Sequence, residues 1–433
     1  MRQTRLLSDL VFYQTFILNL NEYNQVENRY SLLDTMIPKL RQNYNTNFTE
    51  AQYQNFIESI HTDWPNQLEF RLAETPLFVP KSLKNKLIEA CENFIDVIVK
   101  PDFKDKTKTA IPTTQNVPNE NNHTTFLAID FAVCKNEAGE LVPQLIELQG
   151  FPSIFGFQSY ISEQFRKFFP IPETFSNYFG VQNQETYIQK LKEVIVGNEN
   201  PEHVILLDIF PEKQKTKVDF AVTEAMIGVK AVCLTKIRKK DRKLFYEKDG
   251  REIEIKRIYN RLIFDDLTNF PDLKTDFNFT DDVDVVWVGH PNWFFRISKY
   301  ILPFLESPYA PETHFLSDYK NNFPVDLESY VLKPLFSFAG SGVIINVKPE
   351  DLTAISDPEN YILQKKVTYE PIIEAPDGLV KCEIRMLYVW EENAARPQLL
   401  TSLSRLSRGE MIGVRFNKDF TWVGGSTCFY EPD

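Results

Sequence analysis

Residues 124–150 read TTFLAIDFAVCKNEAGELVPQLIELQG. Two short runs, TTFLAIDFAVC and PQLIELQGF, flank the turn Asn136-Glu137-Ala138-Gly139, a pattern that predicts a β-hairpin. Each run carries acidic or amide side chains in an apolar context. Strand side chains alternate, so Glu147 and Gln149 share one face, and Asp130 can reach it from the neighbouring strand. An isolated carboxylate in an apolar interior is costly, so these groups need partners. Three oxygen donors, two of them anionic, suit Mg2+, which takes a few carboxylates and completes its shell with water and phosphate. The solvent face of an antiparallel sheet alternates in the same way. A glycosidase-type carboxylate pair is a further reading, although no clear aromatic sugar platform accompanies it.

Outward from this hairpin the periodicity changes. Residues 1–110 read as a mostly helical N-terminal region, with apolar positions at helical spacing in Leu6, Leu10, Phe12 and Phe16 and again in Leu83, Leu87, Cys91 and Phe94. A polar stretch with Pro112 and Pro118 follows as a loop, and residues 123–160 hold the hairpin strands. From 200 to 300, HVILLDIF, a helix-like stretch from Lys217 to Gly228, KAVCLT and DVDVVWVGH alternate, which suggests a Rossmann-like α/β unit. No G-x-G-x-x-G is present, so a dinucleotide is not indicated. A hairpin with the turn Lys248-Asp249-Gly250 interrupts this unit, and the basic KIRKKDRK reads as a solvated hairpin arm, with phosphate contact the minor alternative. ISKYILPFLESP reads as helical, and residues 301–433 as a strand-rich region broken by glycine.

That last region is chemically dense. Lys333 and Pro334 end a predicted strand, and Ala339-Gly340-Ser341-Gly342 follows before the next. Backbone N–H groups in such a turn can converge on phosphate oxygens, and a nearby lysine supplies a point charge. A plain hairpin with a primed turn and a solvated Lys333 fits the same residues. Arg385, Arg405 and Arg415 lie on successive predicted strands, where planar guanidiniums suit carboxylate or phosphate and equally suit surface ion pairs. The five histidines are scattered without metal-ligand spacing and read as structural.

Composition narrows the partners. A net charge of −12 argues against nucleic acid or an anionic membrane as partner, and any anionic substrate must then meet local positive charge. No run of about 18 uninterrupted apolar residues appears, so no transmembrane helix is expected. The five widely spaced cysteines form no C-x-x-C pair, which reads as reduced, cytoplasmic usage without a zinc framework.

In their order, these segments resemble the ATP-grasp superfamily. VLKPLFSFAGSGV resembles the lysine strand and phosphate-covering loop, YILQKKV the hinge that contacts adenine, CEIRMLYVW an acidic-x-Arg strand, and LLTSLSRLS the later arginine strand. The Glu-x-Asn magnesium pair that usually closes the domain has its counterpart upstream, at LIELQG with Asp130 before it. That order is similar to the circularly permuted ATP-grasp enzymes of the glutathionylspermidine synthase type, and Ser298-Lys299-Tyr300-Ile301-Leu302-Pro303 resembles their N-K-x-x-L-P helix. The likeness covers roughly residues 123–433. Gln149 stands where the family has Asn, and the loop lacks the Arg-Glu pair of the type enzyme.

The resemblance implies an α/β (α+β) ATP-grasp fold, circularly permuted, with a Rossmann-like pre-ATP-grasp unit at 200–300 and the nucleotide-binding domain at 301–433. It implies an ATP-dependent carboxylate–amine or carboxylate–thiol ligase that forms an acyl phosphate and releases ADP and phosphate. On that reading Asp130, Glu147 and Gln149 hold Mg2+. Lys333, Gly340, Ser341, Gly342 and Lys299 grip ATP phosphates, Gln364, Lys365 and Val367 form the adenine hinge, and Arg385 and Arg405 are catalytic. The partners implied are ATP, a small carboxylate and an amine or thiol acceptor, without nucleic acid or membrane. A MgATP-binding protein without ligase activity and a small-molecule phosphotransferase are the alternative readings.

Overall fold

The computed structural model of the protein describes residues 36–320, 322–336, 342–409, 412–413 and 416–433. The first apolar repeat, Leu6 to Phe16, lies outside the described residues; the second is realised as a helix. After α1 (Pro38–Asn47) and α2 (Glu50–Asp63) come a short strand β1 (Leu77–Val79) and α3 (Lys81–Ile98). Helix α2 starts at a capping box in which the Thr49 hydroxyl accepts from the Gln52 N–H and the Gln52 side chain accepts from the Thr49 N–H. The face Leu83, Leu87, Cys91, Phe94 of α3 is fully buried.

The predicted hairpin is formed by β2 (Phe126–Lys135) and β3 (Leu141–Gln149), closed at Gly139, whose φ of 79° lies in the left-handed region glycine favours. Helices α4 (Phe155–Phe168) and α5 (Gln184–Ile195) follow. Next comes the alternating unit: β4 (Val204–Asp208), α6 (Lys217–Ile227) and β5 (Lys230–Cys233). A three-stranded antiparallel arm, β6 (Arg238–Lys240), β7 (Lys243–Lys248) and β8 (Arg251–Ile255), precedes β9 (Arg257–Asn260) and β10 (Val286–Val288). Strands β10, β9, β4 and β5 form a parallel four-stranded sheet in that order. The arm's basic residues are solvated ion pairs, such as Lys239 with Asp281 at 2.8 Å.

The helical stretch expected in ISKYILPFLESP is realised as a 3₁₀ helix over Lys299–Phe304, with Pro303, which lacks an N–H, inside it. One expectation is corrected. In DVDVVWVGH only Val286–Val288 pairs as a strand.

The C-terminal region supplies β11 (Thr313–Phe315), β12 (Tyr330–Pro334) and β13 (Tyr361–Lys365), an antiparallel sheet in the order β11-β13-β12. The long strands β15 (Gly378–Val389), β16 (Gln398–Ser407) and β17 (Gly424–Tyr430) then build the central sheet, with β14 (Pro371–Ala375) paired to the start of β15. Its order is β1-β17-β16-β15-β2-β3, so the hairpin at 126–149 pairs with a strand more than 200 residues later in the chain. Leu127, Ile129, Phe131 and Val133 face the main core with α3, whereas Phe126 and Ala128 face a second core shared with the parallel sheet. Burial on both faces is why β2 reads as a nearly continuous apolar run. All five cysteines are unpaired and buried, and among the described residues no helix is long and apolar enough to cross a membrane.

At the carboxyl end of β4, burial pushes the Asp208 carboxyl up to about 7, opposed by the Ile209 N–H that it accepts and by nearby Arg261. A carboxyl raised on folding contributes stability below its unfolded value, and that contribution is lost as pH rises through the folded one. Stability should therefore fall between about pH 4 and pH 7, by on the order of a few kcal/mol from this group. Asp208→Asn should flatten that slope in urea titrations at several pH values and leave the protein more stable than the parent at pH 8.

Candidate functional site

The side chains singled out on the hairpin meet those of β15 and β16 on one face of the central sheet. Asp130 lies directly opposite Arg385 on one side and Glu147 on the other. Glu383, two residues before Arg385, lies opposite Arg405. A β-bulge sets this register: between Asp130 and Phe131 the partner strand slips, so that Asp130 faces Glu147 while Phe131 faces Leu145. The extra residue, Ile146, lets Leu145 and Leu148 both enter the main core while Glu147 and Gln149 face the cleft.

Asp130 is fully buried, and its carboxylate is held by two guanidiniums. Arg385 donates from Nε to Oδ1 and from Nη2 to Oδ2, both at 2.5 Å, while Arg405 Nη2 donates to Oδ2 at 2.8 Å. Arg405 also donates to Glu383, whose other oxygen accepts from the Tyr369 hydroxyl at 2.8 Å. Arg385 Nη1 reaches the Ser153 hydroxyl at 3.1 Å and Nη2 lies 3.7 Å from Glu147. Opposed like charges on paired strands repel, so the juxtaposition of Asp130 and Glu147 depends on Arg385 lying beside both. Burial raises the Glu383 carboxyl, against the pull of Arg405, and raises the Tyr369 hydroxyl well above its usual range, with Glu383 adding to it.

A second sheet brings the lysine. Lys333 on β12 donates from Nζ to Gln364 Oε1 at 2.6 Å and to the carbonyl of the bulged Ile146 at 3.5 Å. Gln364, itself buried, donates onward to Thr313 at 3.0 Å. Lys299, from the 3₁₀ stretch, lies 3.9 Å from Glu147. Burial lowers both lysines, Lys333 to about 8; Glu147 opposes the shift in each, and Lys299 adds to it at Lys333. Glu147 accepts from Gln149 Nε2 at 2.6 Å. Four cationic side chains and three carboxylates thus converge where the hairpin, the arginine strands and the small sheet meet.

Other expected positions lie differently. The Lys365 side chain points away from the cluster, 3.6 Å from Asp326 and over the Tyr330 ring. Its backbone N–H is bonded to the Glu312 carbonyl, and that of Lys366 to Ser329. Val367 follows just beyond β13 and is half-buried. Gly342 has a φ of 71°, and a Cβ there would lie 2.8 Å from Pro334 Cγ, so glycine is needed at this turn. Gly340, Ser341 and Arg415 lie outside the described residues. Among the described residues, no group of three or more His, Cys, Asp or Glu side chains is arranged to hold a metal. Sequence reasoning missed Glu383, Tyr369 and Ser153 as members of the cluster. The alternation Glu383-x-Arg385 was the available signal, since it puts both side chains on one face.

The architecture is mixed α/β, with a central sheet, a small antiparallel sheet and a parallel four-stranded sheet. In particular, the chain is similar in structure to a glutathione synthetase-like effector from Globodera pallida, solved in apo form, with a TM-score of 0.59 and 11% identity over 88% of this chain and 96% of that one. No protein family matches the sequence, and no curated protein matches it.

Removing one partner from a buried ion pair leaves an uncompensated charge and costs about 3–5 kcal/mol. Asp130→Asn, which strands Arg385 and Arg405, should lower unfolding free energy by about that amount. Glu147→Gln, which relieves Asp130 of a repelling neighbour but takes an anion from Arg385, Lys299 and Lys333, should destabilise the protein by less than Asp130→Asn in the same denaturation experiment.

Proposed function

We propose that this chain is an ATP-dependent carboxylate–amine or carboxylate–thiol ligase of the circularly permuted ATP-grasp type, acting on a small molecule or peptide and releasing ADP and phosphate. The observation that carries the reading is the convergence of Lys333 and Lys299 on Glu147 beside Arg385 and Arg405, in a protein whose net charge is −12. Such local positive charge in an acidic chain suits an anionic ligand. The likeness in fold to a protein described as glutathione synthetase-like supports a ligase. The pairing of β2 with β15 supports the permutation, because strands at 123–160 complete a sheet built mainly by the last 60 or so residues.

The donor set fits magnesium in part. Glu147 is partly exposed, and turning the Gln149 amide by half a rotation presents its oxygen where Nε2 now lies, 2.6 Å from the carboxylate. Glu147 and Gln149 would hold the ion. Asp130, with both oxygens bound to guanidiniums, instead fixes Arg385 and Arg405. Mg2+ bound there with the nucleotide would supply neutralisation of phosphate charge.

The chain's own residues then divide the work. Lys333 and Lys299 bind the β- and γ-phosphates, with Gly340, Ser341 and Gly342 supplying backbone N–H groups. The hinge at Gln364, Lys365 and Val367 accepts adenine. Arg385 and Arg405 orient the acid and offset charge as a carboxylate oxygen attacks the γ-phosphorus and its bond to ADP breaks. The amine or thiol next attacks the acyl carbon, phosphate leaves with the bonding pair, and the nucleophile's proton passes to solvent. Unit charges 4 Å apart repel by about 4 kcal/mol at an effective dielectric of 20, so an acidic protein needs these cations to hold a triphosphate.

Saturating MgATP, at about 100 times Kd, should stabilise the protein by about 2.7 kcal/mol. Lys333→Ala should abolish that shift, and acid-plus-amine turnover to ADP and phosphate should fall at least about 100-fold in the same variant. A phosphoester product would instead mark a phosphotransferase. Absence of any shift with the parent protein would remove the nucleotide from the reading.

A further inference from the structure

Beside the charged cluster lies a cavity of about 460 Å3, the size of a site for a drug-like small molecule. It runs between the start of α4, the segment at 70–72 and the ends of β16 and β17. Its lining is mostly apolar, with Phe70, Leu72, Ile154, Phe157, Leu403 and Val423; Arg385, Arg405 and Ser153 form one polar end, and Arg71, Gln158, Asn417 and Lys418 also border it. Phe70 and Phe157 meet edge to face, with ring centroids 5.6 Å apart.

The charged end is anchored but not exhausted. Arg385 is committed to Asp130 and Ser153. Arg405 uses Nη2 for Asp130 and Glu383, yet its side chain keeps 39% of its surface exposed where it lines the cavity. A guanidinium fixed on one edge by two carboxylates and open on another is preorganised for a third anion. The N-terminal turn of α4 does not compete for that anion, because the Phe157 N–H is already bonded to Asp219 at 2.9 Å.

We propose that this cavity binds the acyl substrate, and that the substrate is a monocarboxylic acid with an aromatic or branched apolar body rather than an amino acid or peptide. The proposal rests on the ligase reading and names its acid. The carboxylate meets Arg405 beside the phosphate-binding lysines, and the body packs against the wall made by Phe70, Phe157 and Leu72. The lining is mostly apolar along Phe70, Phe157 and Leu72, so an aromatic or branched body gains more there than an α-ammonium, which would also face the cations Arg71, Arg385, Arg405 and Lys418.

Calorimetric titration of the full chain with 3-phenylpropanoate, glutarate and glutamate, with and without MgATP, tests this. Phenylpropanoate should bind at least about tenfold more tightly than either polar acid. Phe70→Gln, at a half-buried position, should weaken phenylpropanoate by about tenfold and leave the MgATP thermal shift unchanged. Arg405→Met should weaken phenylpropanoate without weakening 3-phenylpropanol. Equal or tighter binding of glutamate, or a Phe70→Gln variant with unaltered affinity, would overturn the apolar assignment. Phenylpropanoate binding in a protein that ignores MgATP would leave this cavity standing and remove the ligase reading instead.

Discussion

Everything at the cleft depends on the Asp130 carboxylate. It lies at the centre of the sheet, without solvent contact, and two arginines from different strands bond to it. A lone carboxylate there would be costly, and two lone guanidiniums equally so; the three together are a bound unit. Because Arg385 and Arg405 come from neighbouring strands, their tips are fixed by the sheet and not by flexible loops. Rigid placement of charge is what a site needs if it is to act on a developing charge without first reorganising.

The same interaction explains how distant parts of the chain combine. Strands β2 and β3 come from 126–149 and the arginine strands from 378–407, so the carboxylate and its counter-charges meet only when the long-range β2–β15 pairing forms. Lys333 is delivered by a separate small sheet and held by Gln364 and the carbonyl exposed at the bulge. Burial lowers this lysine to about 8, close enough to neutrality that a bound polyanion would restore its proton. The cavity beside Arg405 adds an apolar surface to a cluster otherwise made of charges, which separates recognition of a body from recognition of a carboxylate.

Much of this was legible in residues 124–150. Alternation fixed the shared face of Glu147 and Gln149, and the turn at Asn136–Gly139 fixed the hairpin. The bulge at Ile146 was not legible, because one extra residue in an apolar run leaves no compositional trace. Asp130 was read as a magnesium ligand from its residue type; that two arginines would occupy both its oxygens depends on a pairing across more than 200 residues. The helical reading of ISKYILPFLESP holds over Lys299–Phe304, as a 3₁₀ helix with Pro303 inside it. Glu383 was visible only as the acidic member of the acidic-x-Arg strand; its bond to Arg405 depends on the pairing of β15 with β16.

The most direct test of this charge arrangement is the proton balance of MgATP binding, measured by calorimetry at pH 8 in buffers of different ionisation enthalpy. With the free Lys333 side chain titrating near 8, binding should take up about half a proton, and Lys333→Arg, charged throughout, should bind MgATP without that uptake. Uptake of the same size in Lys333→Arg, or no MgATP binding at all, would contradict a phosphate site built on Lys333.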